Sequence, residues 1–191
     1  MNQLTKFIER NASGKKVLLL FILTNLIYAF MLMVTIPNTM IFSDGMKLLD
    51  MMPTGYSFDY VNNLLNTLGT KGRKIYLTNQ IPVDMIYPLF FGISYSLIMA
   101  YFLKKINKLN STYKYLCLLP LLAGIADYFE NFGIIIMLNN YQNLTEVLVS
   151  TTNIFSIIKS FATTIFFVLL LIILITVGIN YFKNIKTLKH N

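Results

Sequence analysis

Three polar residues interrupt an apolar stretch well inside this chain. In "ADYFENFG", Asp127, Glu130 and Asn131 stand at i, i+3 and i+4, which puts all three on one face of a helix. The flanking "YLCLLPLLAGI" and "IIIML" carry no charge. Two more ionisable residues fall in apolar runs, Asp84 in "PVDMIYPLFF" and Lys159 in "IFSIIKSFATT". Helical spacing aligns Asp84 with Tyr87, Phe91 and Tyr95, and Lys159 with Ser156 and Thr163. Five readings suit this set. Asp127 and Glu130 could serve as general acid and base, with Lys159 keeping one of them charged. Three carboxylates could offer oxygen ligands to Mg²⁺. Asp84, Tyr87, Tyr95, Asp127, Glu130, Asn131 and Lys159 could line a site for a lipid or a small hydrophobic molecule. The same residues could instead form a structural ion pair that holds helices in register, or a proton or ion path.

Magnitudes require these residues to meet. An acid at the centre of a membrane span costs about 2.5–3.5 kcal/mol, so two cost about 5–7. The thirteen Leu, Ile, Phe and Met residues of segment 116–138 offset only about 4–8 kcal/mol at about −0.3 to −0.6 each. That segment is marginal alone. It needs partners, and Lys159 is the available cation.

The elements that must position the set are membrane spans. The chain has 191 residues, of which 55% are hydrophobic and 13% charged; soluble domains carry roughly 25% charged residues. Apolar runs of about 20 residues predict spans at 17–36, 82–103, 116–138 and 154–178. The expected fold is therefore all-α, a polytopic four-transmembrane-helix bundle forming one membrane domain over 1–191. The first run is longer than a secretory signal core and lacks a small-x-small cleavage site, so it reads as a retained span. The net charge of +8 does not point to nucleic acid, because the basic residues sit at span ends rather than in one patch. Eleven of them (Lys6, Arg10, Lys15, Lys16, Lys104, Lys105, Lys108, Lys114, Lys183, Lys186 and Lys189) fall on one side of the expected bundle. Lys47, Lys71, Arg73 and Lys74 fall on the other. Both termini are expected in the cytoplasm of a multi-pass plasma-membrane protein. The ionisable cluster would then occupy the outer half of the bilayer.

Between the first two spans, residues 44–81 are too many for a plain connector. "SFDYVNNLLNTLG" repeats apolar residues at helical spacing, with Ser57 as a cap and Gly69 as a stop. A second helical stretch is expected from Thr70 towards the second span, with Pro82 and Pro88 bending its entry. This amphipathic outer segment either lies on the outer membrane surface or caps the bundle, and its exposed face, mostly Asn rather than basic, favours the cap; Tyr56, Arg73 and Tyr76 are its candidate residues. Tyr56, Tyr60, Tyr76, Tyr101, Tyr113, Tyr115 and Tyr181 fit interfacial belts. Asn25 is expected to hydrogen-bond between helices. "NLT" at Asn143 matches a glycosylation acceptor.

The single cysteine, Cys117, and single histidine, His190, exclude an internal disulfide, a Cys-x-x-Cys redox pair and the usual haem and zinc sites. Cys117 reads as packing, and no metal or cofactor is assigned. The two halves of the chain do not echo each other, so an inverted-repeat transporter has no support. The Ile-, Asn- and Lys-rich composition suggests a bacterial, low-GC source.

The order "GYSFDYVNNLLNTLGTKGRKIYL", "DMIYPLFFGISYS", "LLPLLAGIADYFEN" and a lysine early in the last span resembles an uncharacterised family of bacterial four-helix integral membrane proteins. That family shares a GYS…LG..GR..Y outer loop, a D..(F/Y)P entry to helix 2 and a D..EN motif in helix 3. The matching positions are Gly55, Tyr56, Gly69, Gly72, Arg73, Tyr76, Asp84, Pro88, Asp127, Glu130, Asn131 and Lys159. The resemblance implies the architecture and the grouping of polar residues, and it implies no reaction.

Three function classes follow. An intramembrane enzyme acting on a lipid or isoprenoid would use Asp127 and Glu130. It would lack both the interior histidines of lipid phosphatases and the D-G-x-x-A-R start of CDP-alcohol transferases. A non-enzymatic accessory, sensor or immunity-type protein would use the outer loop as its contact surface. A small transporter would have to oligomerise.

Overall fold

The computed structural model describes residues 10–189, with side chains through Lys183. Lys6 and His190 lie outside the described residues, as do the side chains of Lys186 and Lys189. All regular structure among the described residues is helical. Four helical stretches are long and apolar enough to cross a membrane.

Helix α1 runs Gly14–Met40 and includes a π-helical turn, Met31–Thr35. Helix α2 is Phe58–Ile75. A second π turn, Tyr76–Gln80, joins it without interruption to α3, Ile81–Lys105. A 3₁₀ stretch, Thr112–Leu118, leads into α4, Leu119–Asn139. Helix α5 is Glu146–Lys189. It begins eight residues before the expected span, so Lys159 stands thirteen residues, about 20 Å of rise, from its start.

The polar segment between the first two spans folds as its punctuation predicts. The Ser57 hydroxyl caps α2 by accepting from Tyr60 N at 3.2 Å. Gly69 has φ 57° and breaks the helix, after which the chain resumes helical geometry; a glycine occupies that left-handed region without the Cβ penalty. Val61, Leu64, Leu65 and Leu68 are buried, so α2 covers one end of the bundle rather than lying free on a surface.

Helix α4 packs between α3 and α5, and α1 leans on α3 with little contact to α4 or α5. The α4–α5 approach is close because Gly133 faces Thr152; a Cβ there would collide with the threonine side chain. Small residues at helix contacts allow such approaches in membranes. The outer face of α1, including Leu18, Leu19, Leu26 and Met33, is exposed and apolar, as a lipid-facing surface must be.

The core splits into two apolar clusters. One lies under α2 and contains Leu48, Leu64, Leu65, Tyr76, Ile134 and Met137. The other lies towards the chain termini and contains Phe91, Tyr95, Met99, Leu103, Phe166 and Leu170. A polar layer sits between them.

Candidate functional site

The polar layer is built from α4 outward. Asp127, Glu130 and Asn131 share the inward face of α4, and Glu130 and Asn131 are completely buried. Lys159 of α5 reaches two of them. Its Nζ lies 2.5 Å from Glu130 Oε2 and 3.2 Å from Asp127 Oδ1. Both direct partners of the ammonium therefore come from a single helix. Asp84 of α3 does not contact Lys159; it lines the same cavity instead. Asp84 thus joins the expected polar group by sharing its cavity and not by pairing with the ammonium.

Asn131 serves another purpose. Pro88 lies four residues after Asp84, and its missing N–H leaves the Asp84 carbonyl without its helical donor. Asn131 Nδ2 donates to that carbonyl at 3.1 Å. The asparagine thus ties α4 to α3 at the point where proline opens the ladder. The Asp84 side chain, 3% exposed, is left with Oδ2 unpartnered.

A cavity of about 410 Å³ opens beside this layer, between α1, α3, α5 and the segment before α2. Asp50, Asp84, Asp127 and Lys159 supply the charged part of its wall, Ser160, Thr163 and Thr164 add hydroxyls, and Tyr28, Tyr87 and Phe91 form part of its apolar wall. Tyr28 stacks on Tyr87 with centroids 5.4 Å apart. Lys159 is 18% exposed, less hidden than the fully buried Glu130.

Asp50 was not among the residues singled out by spacing, yet it is held as firmly as any here. Tyr76 Oη donates to Asp50 Oδ1 at 2.5 Å and Gln80 Nε2 to Asp50 Oδ2 at 2.7 Å. The Thr35 hydroxyl donates to Gln80 Oε1. Thr35 and Gln80 lie in the two π turns, and these rare turns often mark functional places in helices. Here they turn Thr35 and Gln80 towards each other and aim the amide at Asp50.

The candidate residues of the segment between α1 and α3 divide. The Gly55–Tyr56 backbone abuts α5, where Asn153 Oδ1 accepts from Tyr56 N at 2.8 Å. The Tyr56 side chain is buried near Glu130 and Lys159, and burial pushes its phenol well up from the ordinary value. It stays a proton donor, and its hydroxyl has no partner. Tyr76 belongs to the Asp50 network. Tyr56 and Tyr76 are therefore interior residues and not members of an interfacial belt, whereas Tyr113, Tyr115 and Tyr181 are exposed. Arg73 does not join the site. Its Nη1 donates to the Leu65 carbonyl at 2.6 Å and its guanidinium lies 3.4 Å from the Tyr141 ring centroid.

Tyr95 also lies apart. Its ring packs against Phe91 at 4.8 Å and against Phe166 and Phe167 in the second apolar cluster. The Asn25 side chain meets it across α1 and α3 while also donating to Phe21 O. The helical stripe from Asp84 runs past the polar layer before it reaches Tyr95. Nor do the acids gather for Mg²⁺: among the described residues, no three acidic, histidine or cysteine side chains form a metal-holding group. Cys117 is buried and packed.

Chemically, the layer is rich in acceptors. Asp84 Oδ2, Glu130 Oε1 and Asn131 Oδ1 are buried without a donor, and the Tyr56 hydroxyl is the one unpaired buried donor near them. Comparison of the chain with protein-family models, curated proteins and solved structures found no match.

Proposed function

We propose that this multi-pass protein binds an amphiphilic, lipid-like molecule inside the membrane, and that the molecule's head group donates hydrogen bonds to the acidic cavity. The observation that carries the reading is the surplus of buried acceptors at a cavity. Asp84 Oδ2 lacks a donor, and Asp50, Asp84 and Asp127 line the opening against a single ammonium. An unpaired buried polar group costs about 1–3 kcal/mol, and a head bearing ammonium or hydroxyl groups would remove that cost. A carboxylate or phosphate head would meet repulsion on the same wall.

The resemblance to bacterial four-helix proteins accords with this reading, since it groups Asp84, Asp127, Glu130, Asn131 and Lys159. Under the positive-inside rule both termini lie in the cytoplasm of a bacterial cell and the cavity lies in the outer half of the plasma membrane. Asp127 and Glu130 then bind and orient rather than catalyse, because each is already engaged by Lys159.

Native mass spectrometry of the protein extracted in mild detergent tests this. Wild type should retain a lipid with an ammonium- or hydroxyl-bearing head. Asp84→Asn should lose it while melting at nearly the same temperature. Equal retention by both proteins, or retention of only acidic lipids, would overturn the reading. If Asp84→Asn fails to accumulate while Asp84→Glu, which keeps the acceptors, accumulates without a retained lipid, the Asp84 carboxylate is a structural group and the reading is overturned.

A further inference from the structure

A second cavity, about 400 Å³, lies on the same three helices as the first. Val17, Leu18 and Phe21 of α1, Tyr95 and Phe102 of α3 and Leu174 of α5 line it. Its wall is apolar apart from the tyrosine hydroxyls. The two cavities follow one another along the bundle: Tyr28 to Leu18 on α1, Asp84 to Phe102 on α3, and Lys159 to Leu174 on α5. A run of touching rings connects them. Tyr28 stacks on Tyr87, Tyr87 meets Phe91 at 5.7 Å, Phe91 meets Tyr95 at 4.8 Å, and Tyr95 meets Phe21 at 6.1 Å.

We infer that the two cavities form one site, in which a single hydrocarbon chain of the bound amphiphile runs along the slot between α1 and α5 with its head at Asp84. The inference rests on the binding reading above and adds the shape of the ligand and its route of entry. Three observations support it. The apolar cavity lies next after the polar one along the bundle, and the ring run from Tyr28 to Phe21 spans the distance between them, so a chain reaching from one to the other would lie against those rings. Its length fits: Phe91 to Phe102 spans eleven residues, about 17 Å of helix rise, close to half of a hydrocarbon core roughly 30 Å thick. Finally, α1 makes little contact with α5, so the slot opens sideways to lipid. A chain can slide in between the helices without any part of it passing through water.

The test uses two hexadecylamine probes in dioleoylphosphatidylcholine vesicles holding the full chain, one with a diazirine beside the amine and one with it at the far end of the chain. After irradiation, the head-labelled probe should mark peptides around Asp84 and Lys159. The tail-labelled probe should mark peptides holding Val17 to Phe21 and Leu170 to Leu174. Unlabelled hexadecylamine should compete both away, and palmitate should compete neither. Leu18 is 58% exposed and sits at the slot mouth, so Leu18→Trp should fill the slot without disturbing the interior. It should abolish tail labelling and spare the head labelling around Asp84 and Lys159. If head labelling is competed but tail labelling spreads evenly, reaching lipid-facing Leu122 and Ile125 of α4, the binding reading stands and the single-slot inference falls. If neither label is competed, both fall. If Leu18→Trp leaves tail labelling intact at the α1 and α5 peptides, the chain does not occupy this slot.

Discussion

The two ends of the bundle are stabilised differently. Towards the termini, Phe91, Tyr95, Met99, Phe166 and Leu170 interlock mainly by shape, with interhelical hydrogen bonds such as Ser96 Oγ to the Cys117 carbonyl and Thr24 Oγ1 to the Phe90 carbonyl beside them. Under α2, apolar packing is joined to buried Arg73, Gln80, Asp84, Asp127, Glu130 and Asn131. Lipid is as apolar as a leucine side chain, so the terminal end gains little by excluding it and relies on fit. The other end is held by directional contacts that hydrocarbon cannot replace. Directional contacts specify one arrangement, and each becomes a liability when its partner is removed.

The largest expected effect follows at Lys159. Lys159→Met would leave Glu130 and Asp127 buried without their cation, a loss of about 3–5 kcal/mol for a broken buried pair. Thermal melting in detergent should show a large fall. The combination Lys159→Met, Glu130→Gln, Asp127→Asn should recover much of it, because the uncompensated charges go with the cation. If the single substitution melts like wild type, the ion pair does not support this end and the comparison fails.

Much of this was readable in the residues, and the reasons differ by place. The spans follow from apolar length, and Asp127, Glu130 and Asn131 from i, i+3, i+4 spacing, because helix periodicity is local. Ser57 and Gly69 marked α2 for the same reason. Asp50 carried no such signal. It sits in a single 3₁₀ turn, Leu49–Met51, too short to show a period, and its place is set by Tyr76 and Gln80, more than twenty residues away. Thr35 and Gln80 meet through π turns, which shift the register that a 3.6-residue period assumes. Tyr95 misled because a stripe fixes a face and not a depth. The Asn131 contact to the Asp84 carbonyl did have a signal: proline four residues after Asp84 implies an orphan carbonyl needing a donor from a neighbour.

That contact supplies the next prediction. Asn131→Leu nearly preserves volume but removes the donor to Asp84 O, which should cost about 1–3 kcal/mol. At the terminal end, the buried Met99 offers the matching change: Met99→Leu should cost under about 1.5 kcal/mol, since cores tolerate volume-conserving swaps. Melting both variants side by side sharpens the contrast between fit and direction. Equal losses would mean that the polar layer behaves as ordinary packing.

The smallest effect is expected at Arg73, where direction and fit act together. Its guanidinium lies over the ring of Tyr141, in the α4–α5 connection, and also donates to the Leu65 carbonyl in the last turn before the Gly69 break. Carbonyls at such helix ends need an outside donor. Arg73→Lys keeps the charge and one donor but loses the planar face, so about 0.5–1 kcal/mol of stacking should go. The loss should stay local. Amide hydrogen exchange should quicken across residues 58–68 and leave α4 around Glu130 unchanged. Faster exchange at both places would mean that α2 and the acidic layer form one cooperative unit, and that the cap helps to hold the cavity shut.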